Sequence, residues 1–186
     1  MAPQDLPPDA LRKRIANATR AAVRQAAGPN RRGTERLCDC VLCAYAGLIV
    51  TSAFTGRNYE ASVGSLQIRV AKHNERLFLD ARTHAIGPAQ YHAWFATRHP
   101  GGRMEVADLC AHHYPAQIDH CAPAWSGGIR PWYAWGWADT LLPDIRFAAD
   151  TAARDHACAW YNHHLDLVNG IAEHAFSLLS AGRLVA

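Results

Sequence analysis

At Gly56 the hydrophobic pattern of this chain changes its period, and that change limits what the chain can fold into. Upstream, the longest apolar run, "VLCAYAGLIV", is well short of the ~20 residues needed to cross a bilayer. It reads as a buried helix from about Asp39 to about Phe54, with Gly56 as its terminator. Downstream, "YEASVGSLQIRV" and "RLFLDART" read as strands on either side of the turn-like "AKHNE". "QYHAWFATR" and "RMEVADL" read as a second pair across "HPGG", a strong turn signal. Helical segments segregated from antiparallel strand pairs define an α+β chain.

The flanks extend this plan. Asp9 follows "LPP" and is placed to cap an alanine-rich helix in which Leu11, Ile15, Ala18 and Ala22 recur at helical spacing; Gly28-Pro29 stops it. "PNRRGTERL" is a polar, basic loop. Residues 115–145 include "APAWSGGIRPWYAWGWADTLLP", loop-rich and aromatic with little periodicity. From Asp150 to about Ala181 the chain is again helical, with Trp160, Leu167, Ile171, Ala175 and Leu178 as an apolar stripe. There are no repeats and no low-complexity segments, and 186 residues suffice for one domain with a real core. The expected organisation of residues 1–186 is therefore a basic N-terminal helix (1–28), a core (33–110), an aromatic loop region (111–149) and a closing C-terminal helix (150–182). The N-terminal helices should pack on the antiparallel sheet.

Charge is unevenly spread. Residues 1–36 hold eight arginines and lysines against three acids, a net of +5, which leaves −2 for the remainder of a chain whose total is +3. A basic helix can meet nucleic acid, an acidic partner or anionic lipid, but these arginines lack neighbouring aromatics for base stacking. A solvated helix face is the expectation, and nucleic acid is not an expected partner. No run spans a membrane, and "MAPQDLPPDALRKRI" lacks the basic-then-apolar order of a secretory signal. The cytoplasm is the default location, with export by a dedicated secretion machine still compatible.

Six cysteines in a chain of this size do not make a disulfide scaffold. Three of them, Cys38, Cys40 and Cys43, crowd into "ERLCDCVLCAYAG". Such a cluster can hold a metal, fill a core, or contain one reactive thiol among bystanders. Zinc sites use short paired hooks whose ligands converge. Here the apolar run forces Cys43 into a helix interior, a poor hook, and "CAHH" at Cys110, His112 and His113 completes no standard set. Neither a metal nor a cofactor is expected, and Cys43 reads as core packing. His112, His113, His163 and His164 read as surface or capping residues, and His156, which shares a helix face with Trp160, as an interior histidine.

Cys40 differs because it follows Asp39, a plausible N-cap, and so falls in the first turn of a helix. The positive end of the macrodipole favours a thiolate there. A nucleophilic thiol also needs a base, and the base needs an orienting group. "YHAWF" places His92 on a strand, and "VADL" places Asp108 on the next strand across "HPGG". A pairing in which His92 faces Asp108 centres the turn on Pro100, with a loop of 99–101 or 98–102. Any odd-length loop puts both side chains on one face; an even one separates them unless a bulge intervenes.

A cysteine at a helix start, a strand carrying "HAW" and a strand ending in Asp together resemble the core of the transglutaminase-like enzymes, relatives of papain-type proteases. Ala44, Gly56 and "GRNYEASVG" extend the likeness, which covers roughly Gly33 to Leu109. The resemblance implies a papain/transglutaminase-like core with Cys40 as nucleophile, His92 as general base and acid, and Asp108 as orienter. A family residue for the oxyanion has no clear counterpart before Cys40; Gln25 and Asn30 are candidates. The implied activity is that of a thiol enzyme acting on amide bonds through a thioester, as a protease, amidase, deamidase or transamidase. Its substrate would be a peptide, a protein side chain or a small amide. Alternatives are an acyltransferase of the arylamine N-acetyltransferase type, a non-catalytic transglutaminase-like module binding a protein through the aromatic stretch 125–137, and a zinc-stabilised binding domain. Oligomeric state is not readable from the sequence.

Overall fold

The computed structural model of the chain describes residues 5–27, 38–70, 75–79, 92–111, 133–141 and 145–181. Two helices come first: α1 (Asp9–Ala27) and α2 (Cys38–Thr55). Val41, Leu42, Cys43, Ala44, Tyr45, Ala46 and Val50 of α2 are all buried, so this helix presents no polar stripe and sits inside the molecule. In contrast, α1 is amphipathic, burying Ile15, Ala16, Ala18, Ala22 and Val23. Its arginines depart from the expected solvated face. Arg12 donates to the Trp135 carbonyl at 2.6 Å and Arg14 to the Leu179 carbonyl at 2.9 Å, while Arg20 is buried. Two guanidinium groups therefore tie α1 to its neighbours, because such long side chains can bury their stems and bond carbonyls at their tips, while Lys13 and Arg24 stay exposed.

The strands are β1 (Glu60–Val70), β2 (Glu75–Leu79), β3 (His92–Arg98), β4 (Met104–Asp108), β5 (Ala134–Trp137) and β6 (Ile145–Ala149). They form one antiparallel sheet in which β1 is the hub, pairing with β3 along Glu60–Gly64, with β6 along Gly64–Ile68 and with β2 along Leu66–Val70. β4 pairs with β3 on one side and with β5 on the other. Two helices close the chain, α3 (Thr151–His163) and α4 (Leu165–Ser180). The architecture is α+β, as the change of period implies. Val63, Ala93, Phe95, Ala107 and Trp135 face the helices, and with Ile15, Leu42, Val50, Val168 and Ile171 they make the main core. The opposite face carries a smaller cluster of Trp94, Ala96 and Val106, flanked by Met104, Leu141 and Phe147. Among the described residues no helix is long and apolar enough to cross a membrane.

Several sequence expectations need correction. The region 111–149 is not purely an aromatic loop, since it contributes β5 and β6. A four-residue strand such as "AWGW" is too short to show a period, and only its pairing with β4 defines it. The closing helix is two helices, broken at His164, whose φ of −121° and ψ of 23° are not helical. Asp39 is not the N-cap of α2, because the helix already includes Cys38; Cys40 nevertheless remains in the first turn.

Gly64 lies opposite both His92 of β3 and Ala149 of β6. A Cβ there would fall 2.0 Å from the Ala148 carbonyl oxygen, so only glycine lets the two backbones approach. Gly64→Ala is expected to push β6 away and cost about 1–3 kcal/mol, measurable as a lower thermal midpoint.

Candidate active site

Three elements deliver the three residues. Alternation along β3 and β4 puts His92 and Asp108 on the same side of the sheet, the side of Trp94 and Val106. The β3–β4 register pairs Phe95 with Ala107 and Arg98 with Met104, which centres the turn on Gly101 rather than Pro100. The His99 amide closes it on the Arg103 carbonyl at 2.9 Å, leaving the odd three-residue loop Pro100–Gly102. Gly101 and Gly102 both adopt positive φ, 92° and 87°, which suits glycine and explains the register. The expected shared face therefore holds, while the pairing is displaced by two residues. Asp108 consequently stands opposite the Trp94 position and reaches His92 diagonally.

The His92 Nε2 and Asp108 Oδ2 atoms are 2.5 Å apart, and Asp108 is completely buried. Asp108 Oδ1 accepts the amide of Cys110 at 2.8 Å, so both carboxylate oxygens are held. The Cys40 thiol, half-buried at the start of α2, lies near enough to the His92 ring to help raise its pKa. Trp94 lies nearly parallel to the imidazole, with ring centroids 6.2 Å apart, and itself packs on Phe147 at 5.1 Å. Burial alone would push the His92 pKa down, but the Asp108 charge and hydrogen bond, aided by Cys40, raise it to about 10. The arrangement thus favours imidazolium near the thiol, with the ring's orientation fixed by the carboxylate.

This raised pKa has a consequence for stability. The contribution of His92 is fully present below its ordinary value of 6.5 and is lost as pH rises through about 10. Stability measured by denaturant titration should therefore fall over that window, and Asp108→Asn should flatten the fall.

Cys43 and Cys110 are both buried, and their thiols are electrostatic neighbours. The Cys110 sulfur also lies 3.5 Å from the Asp39 carbonyl oxygen. Cys43 is core, as its place in α2 implies. Among the described residues no group of three or more His, Cys, Asp or Glu side chains is arranged to hold a metal. His163 and His164 each contact a carbonyl one turn back, those of Ala159 and Trp160, both at 2.8 Å. His112, His113 and Asn30 lie outside the described residues, while Gln25 is exposed in the last part of α1.

A second polar centre was not foreseen from the sequence. Glu105 is completely buried on the helix-facing side of β4. It meets Arg57 at 2.9 Å, the Tyr59 hydroxyl at 2.8 Å, His99 Nε2 at 2.7 Å and the Trp135 indole at 2.6 Å. Burial, reinforced by the Glu105 charge, pushes the Tyr59 hydroxyl well above its ordinary pKa. The available signal was parity: in "MEVAD" Glu105 shares its face with Ala107, so an inward-facing acid required partners.

No family model matches the sequence, and no curated protein matches it. The chain is similar in fold to a crystal structure of a genomics target, with 11% sequence identity and a TM-score of 0.56. That similarity covers 96% of this chain and 83% of the other. At such identity the likeness speaks to fold alone, and it agrees with an α+β class.

Proposed function

We propose that this chain is a thiol enzyme acting on amide bonds, with a papain/transglutaminase-like core. In this reading Cys40 is the nucleophile, His92 the general base and acid, and Asp108 the orienter. One observation carries the reading: a first-turn thiol, an imidazole and a fully buried carboxylate, drawn from three separate elements, are brought together, with His92 Nε2 bonded to Asp108 Oδ2 and Cys40 close enough to bear on the imidazole's charge. Structural packing does not require that arrangement, because a buried Asp–His pair is satisfied without a thiol nearby.

The chemistry follows from the atoms. The Cys40 thiolate attacks the amide carbonyl carbon and forms a C–S bond. The imidazolium passes its proton to the departing nitrogen as the C–N bond breaks, leaving a thioester. An acceptor then attacks the thioester, giving its proton to His92 and releasing the thiolate. With water the product is a carboxylic acid; with an amine it is a new amide. The substrates proposed are a peptide, a protein side chain or a small amide.

Intact-mass measurement after brief iodoacetamide exposure at mildly acidic pH tests this reading, with peptide mapping of the label. Selective labelling of Cys40 is expected, because a free thiol with pKa near ~8.5 reacts little there. Uniform slow labelling of all accessible cysteines would remove the basis for an enzyme. A non-catalytic module would then be the better account.

A further inference from the structure

We propose that Cys110 is a positioning residue for the Cys40–His92–Asp108 chain, fixing the separation between the strand that carries the orienter and the helix that carries the nucleophile. The inference deepens the triad reading and rests on it.

Cys110 acts through two different groups. Its backbone amide donates to Asp108 Oδ1 at 2.8 Å, which aims the other carboxylate oxygen at His92 Nε2. Its thiol donates toward the Asp39 carbonyl at 3.5 Å, and Asp39 immediately precedes the nucleophile. Cys43, one turn further along α2, is buried beside the same thiol and shares its electrostatics. One residue therefore grips the end of β4 with its main chain and the first turn of α2 with its side chain.

The surroundings keep that grip neutral. The neighbouring Cys43 thiol, burial, and the charges available at Cys43, Asp108 and Cys40 all hold the Cys110 thiol well above its ordinary pKa. It persists as an S–H donor rather than competing with Cys40 as a thiolate. From α1, Arg20 also faces Cys43 and Cys110; burial lowers its pKa, and the two thiols oppose that fall. The titratable and charged groups bearing on the profile tested below are thus Cys40, Cys43, Asp39, His92, Asp108, Cys110 and Arg20. A thiol suits this place because it is a weak donor that tolerates an apolar core, and Cys110 is only 1% exposed.

The test is the pH profile of Cys40 alkylation by iodoacetamide in the full-length protein, mapped by peptide mass, alongside the thermal midpoint. Three variants are compared: Cys110→Ser, Cys110→Ala and Cys110→Val. Valine keeps the volume filled, so the measurement survives if alanine leaves the protein unfolded. Loss of the donor in the Ala and Val variants should displace the profile upward by about one pH unit, or about tenfold slower labelling near pH 5.5. Serine, which still donates, should retain most of the native rate even where the midpoint falls. If all three variants lower the midpoint and leave the Cys40 profile unmoved, Cys110 is core filling and the inference is overturned. A serine profile displaced as far as that of valine would overturn it equally. Ordinary thiol behaviour of Cys40 in the native protein would instead defeat the triad reading itself, and this inference with it.

Discussion

Under the proposed thiol chemistry, replacing His92 with alanine should move Cys40 alkylation from mildly acidic pH up to the ordinary thiol range near ~8.5, and should reduce the proposed acyl transfer by about 10⁴-fold. Two losses combine in that variant. The thiolate loses the imidazolium that His92 becomes when Asp108 raises its pKa to about 10, and the leaving nitrogen loses its proton donor. Cys40→Ala should abolish both labelling at that site and thioester formation. Asp108→Ala should be milder than either, since the orienter exchanges no proton with substrate. These effects are non-additive: once His92 is gone, removal of Asp108 should change the alkylation profile little further. Rates measured by mapped alkylation in single and double variants check this ordering. Equal profiles for the native protein and His92→Ala would mean that the contact between Cys40 and His92 has no chemical consequence.

Glu105→Ala should be the most damaging substitution for stability, by about 3–5 kcal/mol, as expected when one partner of a buried charged network is removed. Four donors converge on this carboxylate, and each would face a void on its loss. Tyr59 and Trp135 would lose the anchor for their polar ends, and the edge-to-face packing they make with Phe95 would loosen. Glu105→Gln should be less severe but still costly, because an amide offers one acceptor oxygen and two hydrogens where only donors wait. Urea or guanidinium denaturation gives the loss as a lower midpoint. The fraction that folds should retain the native Cys40 alkylation profile, since Glu105 and Asp108 occupy opposite faces and different ends of β4. A Glu105→Ala protein of native midpoint would show that water replaces the carboxylate at no cost.

Local sequence determined a good deal. The unbroken apolar run in 41–50 had to be a buried helix, because only backbone bonds closed within the segment suit a stretch with no polar face. The glycines of "HPGG" had to make a turn, and the parity of residues 92 and 108 then fixed a shared face for any odd loop. The shared face of His92 and Asp108 was readable on those grounds, and grouping Cys40 with them rested on a family resemblance. What local sequence could not supply was register, partner and closure. The two-residue displacement in β3–β4 depends on which pair of residues takes positive φ, and "HPGG" is compatible with more than one choice. β5 and β6 exist as strands because β4 and β1 offer them hydrogen bonds, not because four or five residues show a period. Arg12 and Arg14 looked like solvated charge until carbonyls from β5 and α4, more than a hundred residues away, came within reach. Glu105 and Cys110 are the clearest cases. One is an acid in a strand and the other a cysteine beside histidines, and most of their partners come from 30 to 71 positions away, which no local pattern encodes.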